Sequence, residues 1–119
     1  MTQPDLIQNF IDSANAIIYL KDDHGRLLMI NRRVTEMFKK SKEEIIGKFD
    51  HDFLSKEDAQ TVRANDGKVA EAGTPMSFKT TVSIRGVQHT FLDHKFPVSN
   101  IPGSPNAVGG IAIEVTKTE

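Results

Sequence analysis

The apolar pattern of this chain changes character at Pro75. Before it, short stripes at helical spacing surround one hairpin; after it, apolar and polar residues alternate. Leu6, Ile7, Phe10 and Ile11 fall at the spacing of an amphipathic helix over residues 5–13. So short a helix is marginal alone in water and needs a surface to lie against. Ala16 to Lys21, with the apolar run Ile17 to Leu20, reads as a strand, and Leu27 to Ile30 as its return. Asp22-Asp23-His24-Gly25 between them is turn chemistry. Asn31 is placed to N-cap a short helix burying Val34, Met37 and Phe38. Ser41 to Glu44 spells a capping box, with Gly47 at the C-terminal cap. Ser55 to Asp58 repeats the start signal. Ala59, Val62, Asp66, Val69 and Ala70 then carry helical spacing to Gly73, predicting a helix of about 17 residues stopped by Pro75.

Beyond Pro75, Phe78, Thr80, Val82 and Ile84 alternate with polar neighbours. Arg85-Gly86 suits a hairpin turn, Val87 to Val98 a long strand, Ser99 to Asn106 a loop and Ala107 to Thr116 a last strand. Three consecutive strands favour an antiparallel meander. The expected class is α+β, five antiparallel strands with short helices and one longer helix over one face. Patterning alone does not say whether the two strand groups share a sheet.

At 119 residues, 38% apolar and 26% charged, the chain suits one soluble domain. Fifteen Lys and Arg against sixteen Asp and Glu leave no basic excess for a nucleic-acid partner. The local cluster Lys39, Lys40 and Lys42 is opposed by Glu36, Glu43 and Glu44. The absence of cysteine excludes disulfides, thiolate metal sites and a Cys nucleophile. No apolar run approaches the roughly 20 residues that span a bilayer, and no secretory signal is visible. A cytoplasmic location without membrane contact is expected.

The order of these signals resembles the PAS domains of signalling proteins, over roughly Leu6 to Thr116. The likeness rests on Asp22 and Gly25 in the first turn, Asn31, and the Ser41–Gly47 capping box. Gly47-Lys48 followed by Asp50, His51, Asp52 and Phe53 is similar to the family's short connecting helix. Arg63-Ala64-Asn65-Asp66 through Pro75 is similar to its long helix and exit; Lys95-Phe96-Pro97-Val98 and Val108 to Ile111 resemble its last strands. Glu114-Val115-Thr116 resembles the closing Asp-Ile/Val-Thr motif, with Glu for Asp. Lys39 and Lys40 stand where a Gly-aromatic pair is common. The resemblance implies one sheet with helices enclosing a small cavity, in a non-catalytic sensor linked to a histidine kinase or a cyclic-dinucleotide enzyme. The expected division is a helix over 1–14, the PAS domain over 15–117 and the start of a linker at 118–119.

Candidate chemistry is sparse. The segment Ser55–Gly73 has no His for haem iron, and His51 sits between Asp50 and Asp52 in a polar turn. A covalent flavin adduct lacks its cysteine, and no cofactor is expected. His89 and Asp93 share a strand face while His94 takes the other, so zinc lacks three converging ligands. His89 and Asp93 are about 13 Å apart along a strand, and no nucleophile completes a catalytic set. Candidate cavity walls are Ile18, Leu20, Met37, Phe38, Ile46, Phe49, Phe53, Val62, Val69, Phe78, Val82 and Ile111. Arg63, Asn65 and Lys95 are the candidate polar anchors. The same apolar residues also suit a core filled to native density. Leu6, Ile7, Phe10 and Ile11 suit either a homodimer contact or a cap over the chain's own sheet. The resemblance implies a signal exit through Glu114 and Thr116. A small-molecule sensor and a ligand-free dimerisation or relay module both remain open.

Overall fold

Turn chemistry sets the two hairpins in the computed structural model, which describes residues 3–115. Strands β1 (Ile17–Lys21) and β2 (Leu27–Ile30) meet through Asp22, whose carboxylate accepts the backbone N–H groups of His24 and Arg26, both at 2.9 Å. Strands β3 (Met76–Ile84) and β4 (Val87–Val98) meet at Arg85-Gly86, both with positive φ (53° and 83°). That pair of left-handed residues is the signature of a tight hairpin turn matched to strand twist.

Strand β5 (Ala107–Glu114) joins the two hairpins, pairing antiparallel with β1 on one side and β4 on the other. The result is one antiparallel sheet of order β2-β1-β5-β4-β3. The long-range β1–β5 pairing was not readable from periodicity, because nothing in either strand encodes its partner. Helices α1 (Gln3–Asp12), α2 (Arg32–Phe38), α3 (Lys42–Ile45) and α4 (Lys56–Ala72), with a 3₁₀ turn at Asp50–Asp52, complete the described fold. One core cluster gathers Tyr19, Leu27, Ile30, Val34 and Ile45; a second gathers Val82, Ile84, Phe91 and Ala112.

The capping signals resolve unequally. Ser41 and Glu44 form the full capping box at α3. Ser55 caps α4, but the Asp58 carboxylate accepts the Ser83 N–H at 2.9 Å instead of reaching back. Asn31 stands at the N-cap of α2 without capping it. Its buried amide donates to the Ile11 and Ala16 carbonyls, both at 2.8 Å, and accepts the Ile18 N–H at 3.1 Å. Asp12 takes over the capping role, accepting the Arg32 N–H at 2.7 Å. Asn31 is therefore the pin that ties the end of α1 to β1, using its whole polar surface on backbone groups.

Lys39 closes α2 in the left-handed region (φ 57°, ψ 44°). An L residue there costs about 1–2 kcal/mol, partly offset in any comparison with Gly by the latter's extra unfolded-state freedom. Lys39→Gly should therefore raise stability by about 0.5–1 kcal/mol in urea unfolding. An unchanged or lowered midpoint would contradict this reading of the helix exit.

Candidate functional site

Strand alternation carries charge as well as apolar groups onto the helix-facing side of the sheet. Tyr19 and Lys21 on β1, and Asp93 and Lys95 on β4, point to the same space as Asp66 of α4 and Asp50 of the 3₁₀ turn. The Lys95 ammonium donates to Tyr19 Oη and Asp66 Oδ1, both at 2.7 Å, and lies 3.3 Å from Asp93 Oδ2. The Lys21 ammonium donates to Asp66 Oδ2 at 2.9 Å and Asp50 Oδ2 at 2.6 Å. The Tyr19 hydroxyl donates to Asp93, equidistant from its two oxygens at 3.0 and 3.1 Å. Asp66 thus bridges the two lysines, one on each carboxylate oxygen.

Glycine makes room for this arrangement. In strand register Gly110 lies opposite both Tyr19 and Lys95. A Cβ on Gly110 would overlap the Tyr19 ring, which passes over β5 towards Lys95.

Burying a charge costs several kcal/mol per ion unless partners replace the lost water. Here the partners win. Burial works to raise the Asp66 pKa, but Lys21 and Lys95 outweigh it and hold the carboxyl below its ordinary range. Burial works to lower the Lys21 pKa, but Asp50 and Asp66 outweigh it and raise the ammonium's pKa. Burial, with Asp93 and Asp66 behind it, pushes the Tyr19 phenol well above its ordinary value. Tyr19 is therefore a neutral donor at physiological pH.

Beside the cluster lies a cavity of about 100 Å³, walled mainly by apolar side chains from the sheet, α2 and α4. Of the residues named from the sequence, Met37, Phe38, Val62, Val82 and Lys95 line it. Tyr19, Lys21, Asp50 and Asp93 also line it and were missed as site residues. Asp66 stood in the apolar stripe of α4, and an acid in such a stripe is the one signal that marked it.

Other candidates lie elsewhere. Ile18, Leu20 and Ile111 take the opposite sheet face, since Ile17, Tyr19 and Lys21 are the β1 residues that line the cavity. The continuous run Ile17–Leu20 hid that parity. Ile46 and Phe53 pack against the core around Tyr19 and Ile45. Phe49 stacks on His51 at 5.2 Å, with the Arg26 guanidinium over its ring. Arg63 is exposed and donates to the Asp23 carbonyl at 2.6 Å. Asn65 and Val69 are buried in α4, and Phe78 is half-buried on β3, all outside the cavity lining. Leu6, Ile7 and Phe10 are exposed, Phe10 at 79%, whereas Ile11 is buried within the chain. Glu114 pairs with His89 (Nδ1 to Oε2, 2.7 Å), while Thr116 lies outside the described residues. His94 bonds Ser77 at 3.0 Å, and His51 is exposed beside Asp52. Among the described residues no three acid or histidine side chains converge as metal ligands, and no helix is long and apolar enough to cross a membrane.

Three comparisons place this geometry among known proteins. The sequence model of the PAS fold matches residues 11–119. The methanogenesis regulatory histidine kinase FilI of Methanothrix harundinacea is 27% identical over 110 residues, 92% of this chain and 12% of that protein. The chain thus spans about an eighth of that curated relative. Vibrio cholera VqmA, solved in a ligand and DNA complex, superposes with a TM-score of 0.81 at 18% identity, covering 99% of this chain and 54% of that one. The PAS domain of the Cronobacter turicensis quorum-sensing receptor RpfR, also solved as a complex, gives 0.73 at 23% identity, covering 89% and 99%.

The Asp66 shift fixes a pH dependence. Its pKa is lower folded than unfolded, so its contribution is complete above the ordinary carboxylate range and is lost as pH falls through it. Tyr19 and Lys21 are raised, so theirs are complete below about pH 10 and lost above it. Asp66→Asn should cost about 3 kcal/mol or more at pH 7 and flatten the fall in stability between about pH 5 and 2. Parallel acid limbs for variant and wild type, in urea melts at stepped pH, would contradict the assignment.

Proposed function

This chain belongs to the PAS fold family, and on that premise we propose that it senses a small molecule held in the cavity beside the ionic cluster. One observation carries the reading. Protein interiors pack to crystal-like density with few voids larger than a water. Here a partly open pocket of about 100 Å³ reaches in beside charged groups that all have partners. A mainly apolar pocket with a few placed polar groups is the form of a small-molecule site.

The output follows the same elements. Ala112 of β5 lines the cavity, and two residues later Glu114 is held to β4 by His89. A ligand that displaces the Tyr19–Lys95–Asp93 contacts moves β5 and with it the exit at Glu114. We place this domain in the sensory part of a longer signalling protein. Its likeness to FilI supports a histidine kinase as that protein. On this reading catalysis belongs to another part of that longer protein.

A second reading, dimerisation, is supported by exposed apolar residues. Leu6, Ile7 and Phe10 on α1 are exposed, as are Leu92, Ile111 and Ile113 on the outer sheet face. Apolar surface of this kind marks interaction sites when it is contiguous. Such a pair suits effectors that work two at a time.

Native mass spectrometry of the chain as isolated tests both readings. The sensor reading expects a non-covalent increment on the order of 100 Da per subunit, the size of a benzene-like guest. The dimerisation reading expects doubled mass that returns to single chains with Leu6→Ser and Phe10→Ser together. A bare, monomeric mass that stays bare after dialysis against cell extract would overturn both.

A further inference from the structure

The cavity's charge distribution assigns a ligand class. Lys21 and Lys95 face Asp50, Asp66 and Asp93, so two cationic and three anionic side chains leave the cluster one formal negative charge in excess. Both lysines are buried and ion-paired within the cluster. Lys95 donates to Tyr19 and Asp66 and lies 3.3 Å from Asp93 Oδ2, and its side chain is 1% exposed. Lys21 is held by Asp50 and Asp66 and is 4% exposed. The accessible charge at the cavity is instead carboxylate, with Asp93 at 14% and Asp50 at 19% exposure against 2% for Asp66. A carboxylate offers about four lone-pair sites. Tyr19 and Lys95 fill only part of the capacity of Asp93, and Lys21 only part of that of Asp50.

On the reading that the cavity holds the ligand, we propose that it selects a small cation: a protonated amine on a compact apolar body, its N–H groups donating to Asp93 and Asp50. The amine supplies the positive charge that the cluster lacks, and the body replaces the void among Val34, Met37, Phe38, Val62, Ile84 and Phe91. An anionic ligand would meet two accessible carboxylates, with both ammonium groups already engaged. Size sets the other limit. A cavity of 150 Å³ accepts benzene, so one of about 100 Å³ takes a body of some four or five carbon atoms.

The test is titration of the chain with isobutylamine, isobutanol and isobutyrate, three probes of one shape, followed through the methyl resonances of Met37 and Ile84. Isobutylamine should shift these methyls saturably and bind at least tenfold tighter than isobutyrate. Asp93→Asn, or Asp50→Asn should the first variant fail to fold, should cut that preference to below about threefold while leaving isobutanol within about twofold. Equal or tighter binding of isobutyrate, or a preference unchanged in Asp50→Asn and in a folded Asp93→Asn, overturns the cation assignment and leaves the sensor reading standing. No cavity methyl shift with any probe overturns both.

Discussion

The Lys95 ammonium, buried between the sheet and α4, is the constraint around which this domain is arranged. It cannot stay charged there without partners, and each one comes from a different part of the chain: acceptors Tyr19 from β1 and Asp66 from α4, and the Asp93 carboxylate from its own strand. Meeting those demands fixes α4 against the sheet, the β1–β5–β4 register and the need for glycine at position 110. Lys21 and Asp50 extend the same network to the 3₁₀ turn. An apolar core of equal volume would be about as stable. What the ions add is a defined geometry, since each has few acceptable partners.

The cavity lies beside that geometry, and the rest of its wall is mainly apolar. Side chains held by directional bonds at one end are less free to relax into the space beside them. On the proposed sensor reading the cluster is what an arriving ligand meets, because Asp50 and Asp93 line the cavity. On that reading, sensing and structure share the same few side chains. The proposed route out is short: cavity wall at Ala112, then Glu114 held by His89.

Much of the fold was legible in the sequence because local physics encodes it. The capping box at Ser41, the turns at Asp22 and Arg85, and the 17-residue helix after Ser55 depend on residues within a few positions of one another. The β1–β5 pairing depends on chain segments some ninety residues apart, and came only through the resemblance to a family. The site divided in the same way. Met37, Phe38, Val62 and Val82 follow from helical spacing or alternation, so they were found. Ile18 and Leu20 were placed on the wrong face, because four consecutive apolar residues carry no parity. Lys21, Asp50 and Asp93 look like ordinary surface charges in one dimension, and their partners appear only in three. Asn31 was assigned the local job its position suggests, whereas the fold uses it for a longer-range one.

The most direct measurement of the central claim is a double-mutant cycle on Lys95→Met and Asp66→Leu, read by urea unfolding at neutral pH. Each single variant leaves a buried charge without its main partner and should cost about 3–5 kcal/mol. The double variant removes both, and should recover enough to give a coupling of about 2–3 kcal/mol. Costs that add to within about 0.5 kcal/mol would show that the two residues act independently, and that this ion pair does not hold α4 to the sheet.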